Sequence, residues 1–140
     1  MDRLAVEVDP DKARLLHGDP PPGNINFVRK LQPGRERLVC LNEADGELLW
    51  AHEWDCPYTT VAAYAIGPRA TPTVDGDRVY ALGSEGNLFC LNSKTGVVHW
   101  SCDFKKNYGL EIPEWGTAAH PLVHGERLIC IVGGGHLRCV

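Results

Sequence analysis

The sequence predicts an all-β fold of β-propeller blades, four-stranded antiparallel sheets in an incomplete arc of about two to three. Three observations carry this. CLNEADGELLW at 40–50 recurs as CLNSKTGVVHW at 90–100, with five of eleven positions identical and an offset of 50. PTVDGDRVYALGSEGNLFC at 72–90 aligns without a gap to PLVHGERLICIVGGGHLRC at 121–139, with seven of nineteen identical and an offset of 49. Their lead-ins agree too, GPRATP at 67–72 against GTAAHP at 116–121. A repeat of this length is a stacked supersecondary unit. Thirdly, each unit divides into four short strands.

In the middle copy, Thr71 to Val74 is the first strand, and Asp75-Gly76 is a strong hairpin signal. Arg78 to Leu82 is the second strand, followed by the turn Ser84-Glu85-Gly86. Asn87 to Asn92 is the third, Ser93-Lys94-Thr95-Gly96 turns the chain, and the fourth runs from Val97 to about Phe104. No segment carries apolar residues at i, i+3, i+4 for the length that a helical solenoid requires. On the third strand Leu88 and Cys90 point one way, Phe89 and Leu91 the other. Both faces are apolar, as a sheet packed between two neighbouring sheets demands.

The chain divides accordingly into a poorly matched 1–23, a partial first blade at 24–54, a second blade with its long lead-in at 55–104, and a loop with a partial third blade at 105–140. Propellers close with four to eight blades, so the expectation is a piece of a longer protein whose remaining blades complete the ring. The alternative is self-association of several copies into one ring.

Composition bounds the function. A net charge of −4 supplies no basic patch for a phosphate backbone, which argues against nucleic acid. The longest apolar run, VAAYAIG at 61–67, is too short to span a bilayer. The first residues lack the basic start and apolar core of a secretory signal, so the chain reads as cytoplasmic unless its natural start lies upstream. The six cysteines have no CxxC spacing. Cys40, Cys90 and Cys139 fall at one repeat position in successive blades and read as small buried hydrophobes, because stacked sheets stand too far apart for bridges. The pairing of Cys56 and Cys102 stays open.

The motif Asn-x-x-(Thr/Asp)-Gly-x-x-x-Trp, met by Asn42, Asp45, Gly46 and Trp50 and again by Asn92, Thr95, Gly96 and Trp100, resembles the repeat of pyrroloquinoline-quinone-type propellers. The resemblance covers about 25–140 and is nearest to bacterial PQQ-binding-like β-propeller repeat proteins, relatives of the outer-membrane protein assembly lipoprotein. It implies a periplasmic or extracytoplasmic location if a signal peptide lies upstream. Gly46 and Gly96 are read as closing hairpins that need positive φ. Trp50 and Trp100 are read as outer-strand residues packing on the neighbouring blade, in preference to a ligand-stacking cage.

The resemblance also raises a cofactor. Enzymes of that kind hold Ca²⁺ under the quinone and carry two adjacent cysteines, whereas this sequence has no Cys-Cys pair and no acidic cluster in a loop. Asp75, Asp77 and Glu85 read as ordinary turn residues. No cofactor and no metal are therefore expected, the quinone being suggested by the repeat alone. Gly133-Gly134-Gly135 aligns with the turn at 84–86 and lacks a GK[ST] sequel, no GxSxG is present, and the six histidines are scattered. No catalytic residue is assigned. The candidate channel-facing residues are Arg69, Trp115 and His120, in the long connections Asp55–Arg69 and Lys105–His120 that also hold Tyr58, Tyr64, Tyr108, Glu111 and Glu114. The plainer reading is that Arg69 pairs with a carboxylate and His120 caps a loop. Two functions remain: a non-catalytic scaffold for an unidentified protein partner, or part of a quinone-dependent alcohol or sugar dehydrogenase.

Overall fold

The structure, a computed structural model, describes residues 31–59 and 66–132 and the backbone of 137–139. The expectations for residues 1–30, for Tyr64, for the three glycines at 133–135, for the histidine at 136 and for the Cys139 side chain lie outside these residues.

Among the described residues, nine strands form three antiparallel sheets. The first sheet pairs β1 (Arg35–Leu41) with β2 (Leu48–Asp55). In the second, β3 (Thr73–Asp75), β4 (Arg78–Leu82), β5 (Asn87–Asn92) and β6 (Val98–Asp103) lie side by side in sequence order. The third sets β7 (Leu122–His124), β8 (Arg127–Ile131) and β9 (Leu137–Cys139) in the same order. These are β-propeller blades, the middle one four-stranded. The repeat governs register as well. Cys40 faces Trp50 and Cys90 faces Trp100, and a bulge follows at Cys40/Leu41 and at Cys90/Leu91. Gly46 (φ 75) and Gly96 (φ 71) close the two equivalent hairpins in the left-handed region.

Two boundaries differ from the sequence reading. β3 begins at Thr73 because the Thr71 N–H is donated to His120 and Pro72 has none to give. The fourth strand stops at Asp103, and Phe104–Tyr108 forms a one-turn helix, α1. Asp103 caps it by accepting from the Lys106 N–H, and Gly109 (φ 67) ends it. Both caps are local. Among the described residues no helix is long and apolar enough to cross a membrane.

Packing explains which blade faces are apolar. Tyr80, Leu82, Leu88 and Cys90 of the second blade are buried against Leu128, Cys130 and Val132 of the third, with Phe104 and Leu110 closing one end. On its other face Phe89 rests on Trp54 (ring centroids 4.8 Å apart) and His52 (4.9 Å) of β2. Cys90 is fully buried in this packing, whereas Cys40 is half-buried, because among the described residues its strand is flanked by β2 alone. Cys56 and Cys102 are both free thiols.

Candidate functional site at the blade junctions

Each strand reverses the last, so the 83–86 turn and the connections between blades gather at one end of the sheets. The 75–77 and 92–97 turns gather at the other. The connection end of the first junction holds a cluster of buried polar side chains. Glu36 alternates in phase with Leu38 and Cys40 along β1, which turns it toward the second blade. There its carboxylate accepts the Ser84 N–H at 3.1 Å, the Ser84 hydroxyl at 2.7 Å and the Trp54 indole N–H at 3.1 Å. These bonds are possible because residue 83 is glycine, for a Cβ there would meet the Trp54 indole nitrogen at 3.0 Å.

Glu85 is the second buried carboxylate, and this corrects its reading as an ordinary turn residue. It accepts the Thr59 N–H at 2.6 Å and the Thr59 hydroxyl at 3.0 Å, and it pairs with Lys105 of α1. Thr59 comes from the connection leaving the first blade, so Glu85 ties that connection to the second blade. The next connection is tied back to the same second-blade turn, through backbone acceptors. Thr117 donates its N–H to the Ser84 carbonyl at 2.8 Å and its hydroxyl to the Gly83 carbonyl. Between the two carboxylates lies Cys56, 0 % exposed and 3.8 Å from the Ser84 hydroxyl. Burial, reinforced by the negative Glu36, pushes its thiol up to about 12. Tyr58 is raised by the same burial and the same carboxylate.

The repeat sets a charge-reversed copy of this ion pair in the first blade. An offset of 50 places Arg35 on Glu85 and Asp55 on Lys105. Arg35 pairs with Asp55 at 3.4 Å and with Glu53 at 3.0 Å, and Glu53 also meets Arg37. The two versions differ in surroundings. The Glu85 side chain is 1 % exposed, against 62 % for Arg35.

The expected channel-facing residues lie on the following junction. The Arg69 guanidinium sits over the Trp115 ring, 6.0 Å from its centroid. His120 Nδ1 accepts the Thr71 N–H at 3.1 Å, and Thr73 donates to the Pro121 carbonyl, so these contacts join the inner strands of two blades. Arg69 and Trp115 are thus brought together, while His120 is held by backbone. Glu111 and Glu114 are exposed. Sequence reasoning missed Glu36, Ser84, Thr59 and Lys105; the signal available for Glu36 was its phase in the strand.

At the other end Trp50 lies against the second blade. Its indole N–H donates to the Ser93 carbonyl at 3.1 Å, and a Cβ on Gly96 would lie 2.6 Å from its ring. Trp100 packs on the core shared by the second and third blades, with the Tyr80 ring centroid 6.1 Å away.

Residues 13–140 match a family described as outer membrane protein assembly factor BamB. The chain belongs to that family. No curated protein matches it. Within this BamB-family chain, the buried carboxylates do not fit a quinone and its Ca²⁺. Glu36 and Glu85 already accept from Ser84, Trp54, Thr59 and Lys105, and the sequence has no adjacent cysteines. Chemically, the junction cluster can latch blades together. Its donors and acceptors are spent on each other.

Proposed function

We propose that this chain is a non-catalytic propeller segment that serves as a scaffold for protein interaction, in the assembly of outer membrane proteins that its family's description names. The observation that supports the reading most is how the side chains divide. The buried carboxylates are spent on joining blades, while the exposed hairpins carry apolar residues. Leu48 and Leu49 beside the first hairpin turn and Val97 beside the second are each about three-fifths exposed, at 61 %, 59 % and 62 %. Exposed apolar residues grouped on adjacent hairpins suit a protein partner better than a small polar substrate.

The test is photo-crosslinking in the source cells from a reactive residue placed at Leu48 or Val97, with buried Leu88 as the control position. Discrete crosslinks to a protein from both rim positions and none from Leu88 are expected. Oxidation of an alcohol or sugar by the protein supplied with quinone and Ca²⁺ would overturn the reading.

A further inference from the structure

We infer that Asp75 is a site of spontaneous modification, its link to Gly76 rearranging through a succinimide to isoaspartate, and that this mark loosens the seat of Trp50 on the second blade. The Gly76 amide nitrogen attacks the Asp75 side-chain carboxyl carbon. A C–N bond forms, and the carboxyl OH leaves as water with the amide proton. Water then reopens the ring at either carbonyl. Opening at the former main-chain carbonyl leaves the backbone running through Cβ and Cγ of residue 75. The water lost is the water regained, so the atoms balance and no oxidant or co-reactant is needed. Glycine is the favourable follower because it puts no Cβ in the way of ring closure.

The sequence holds two Asp-Gly pairs, at 45–46 and 75–76, and they lie in turns of different kind. At 45–46 the reacting atoms are held. The Gly46 N–H is donated to the Asn42 carbonyl at 2.8 Å, and the Asp45 carboxylate accepts the Glu47 N–H at 3.0 Å and the Asn42 amide at 3.4 Å. Gly96 repeats the first of these bonds, donating to the Asn92 carbonyl at 2.9 Å, so the protection belongs to that turn type. At 75–76 the turn is shorter. Asp75 pairs with Arg78, which leaves Gly76 (φ 57) and Asp77 as the two turn residues. The ladder closes outside them, and among the described residues the Gly76 N–H meets no acceptor. Its nitrogen is free to attack, whereas that of Gly46 must first give up its bond. The contrast lies within each hairpin and depends on no neighbouring blade.

The contacts of this turn decide what the rearrangement changes. Ser93 donates its N–H to the Asp77 carbonyl at 2.8 Å and its hydroxyl to the Gly76 carbonyl at 3.4 Å. The Ser93 carbonyl in turn accepts the Trp50 indole N–H at 3.1 Å. An extra main-chain methylene at residue 75 displaces both turn carbonyls. The displacement then passes through Ser93 to the first blade. This inference goes beyond the scaffold reading and does not rest on it.

The experiment stores the full chain at mildly acidic pH, folded in one sample and unfolded in urea in another. Peptide mapping with electron-transfer fragmentation, which distinguishes isoaspartyl from aspartyl peptides, follows residues 45 and 75. In urea the two should react alike. In the folded chain residue 75 should outpace residue 45 by at least about tenfold, since the bonds at Asp45 and Gly46 must open first. NMR of the isotopically labelled chain reads the Trp50 indole N–H, assigned by its loss in Trp50→Phe. A second Trp50 signal should grow in step with isoaspartate at 75, and Asp75→Ser should show neither. Equal rates at 45 and 75 in the folded chain overturn the inference, as does the absence of isoaspartate at 75 while the urea sample reacts. A single unmoved Trp50 signal as isoaspartate builds overturns the coupling to the first blade.

Discussion

Glu36 of the first blade accepts both donors of Ser84 in the second, the N–H at 3.1 Å and the hydroxyl at 2.7 Å, while its other oxygen takes the Trp54 indole. A carboxylate only 1 % exposed is thus held by neutral donors from two blades. Glu36→Ala leaves those donors buried and unpaired, which should cost about 3 kcal/mol. Glu36→Gln keeps one acceptor but turns an NH₂ toward a donor and should cost about 2 kcal/mol. Urea unfolding measures both. An unchanged midpoint for Glu36→Ala would show that the latch contributes nothing.

The ion pair and its charge-reversed copy should respond very differently. Removing Asp55 from the exposed pair with Arg35 should change stability by no more than about 0.5 kcal/mol. Removing Glu85 leaves the Thr59 N–H and hydroxyl without their acceptor in a part-buried site, whereas Lys105 is exposed enough to be solvated, and the loss should be about 2 kcal/mol. The double replacement Glu85→Arg with Lys105→Asp copies the first-blade pair into the second blade. It should not recover the loss, because Thr59 presents an N–H and a hydroxyl, and a guanidinium cannot accept either. Recovery to the wild-type midpoint would show that the pair alone matters, whatever its orientation.

These contacts also mark how far the sequence could be read. Strands, turns and the Trp–Gly hairpins were legible because each is set by residues a few positions apart and is written twice. The junction was not, since Thr59 meets Glu85 across 26 residues and Glu36 meets Ser84 across 48. No local pattern encodes such a meeting. Glu85 was misread for a related reason: turn preference describes its backbone and is silent about what folds over its side chain. Helix α1 escaped because five residues are too few for periodicity, although Asp103 and Gly109 cap it. Glu36 was the exception, its phase with Leu38 and Cys40 being visible in the strand pattern.

The two hairpin glycines separate backbone strain from contact. Gly46 and Gly96 share positive φ, 75 and 71, but a Cβ on Gly46 meets nothing within 4 Å while one on Gly96 meets the Trp50 ring at 2.6 Å. Gly46→Ala should therefore cost about 1 kcal/mol, the strain of the left-handed region. Gly96→Ala should cost about 3 kcal/mol, strain plus displacement of the indole. In a Trp50→Leu background the second cost should fall toward the first, a coupling that a double-mutant cycle reads directly. Equal costs for the two glycines in the wild-type background would mean that the Trp50 contact is slack.

The buried thiol makes stability depend on alkaline pH. Cys56 ordinarily titrates at 9.0 and is pushed up to about 12 by burial, with the Glu36 charge adding to it. Below 9.0 both folded and unfolded chains hold the proton, and the stabilisation is fully present. As pH rises from there the unfolded chain ionises first, so stability falls until the folded thiol also titrates. Tyr58, raised by the same burial, contributes in the same direction. Cys56→Ala removes the thiol's part. It should be less stable than wild type near pH 8, and the gap should shrink by about 2 kcal/mol near pH 11. At the acid end the sign is opposite for His52, whose pKa burial lowers from 6.5, so that stability falls as pH drops below that value. His52→Phe should flatten only this acid limb, leaving the alkaline limb to Cys56 and Tyr58. A gap between wild type and Cys56→Ala that stays constant from about pH 8 to about pH 11 would show that the thiol ionises as freely folded as unfolded.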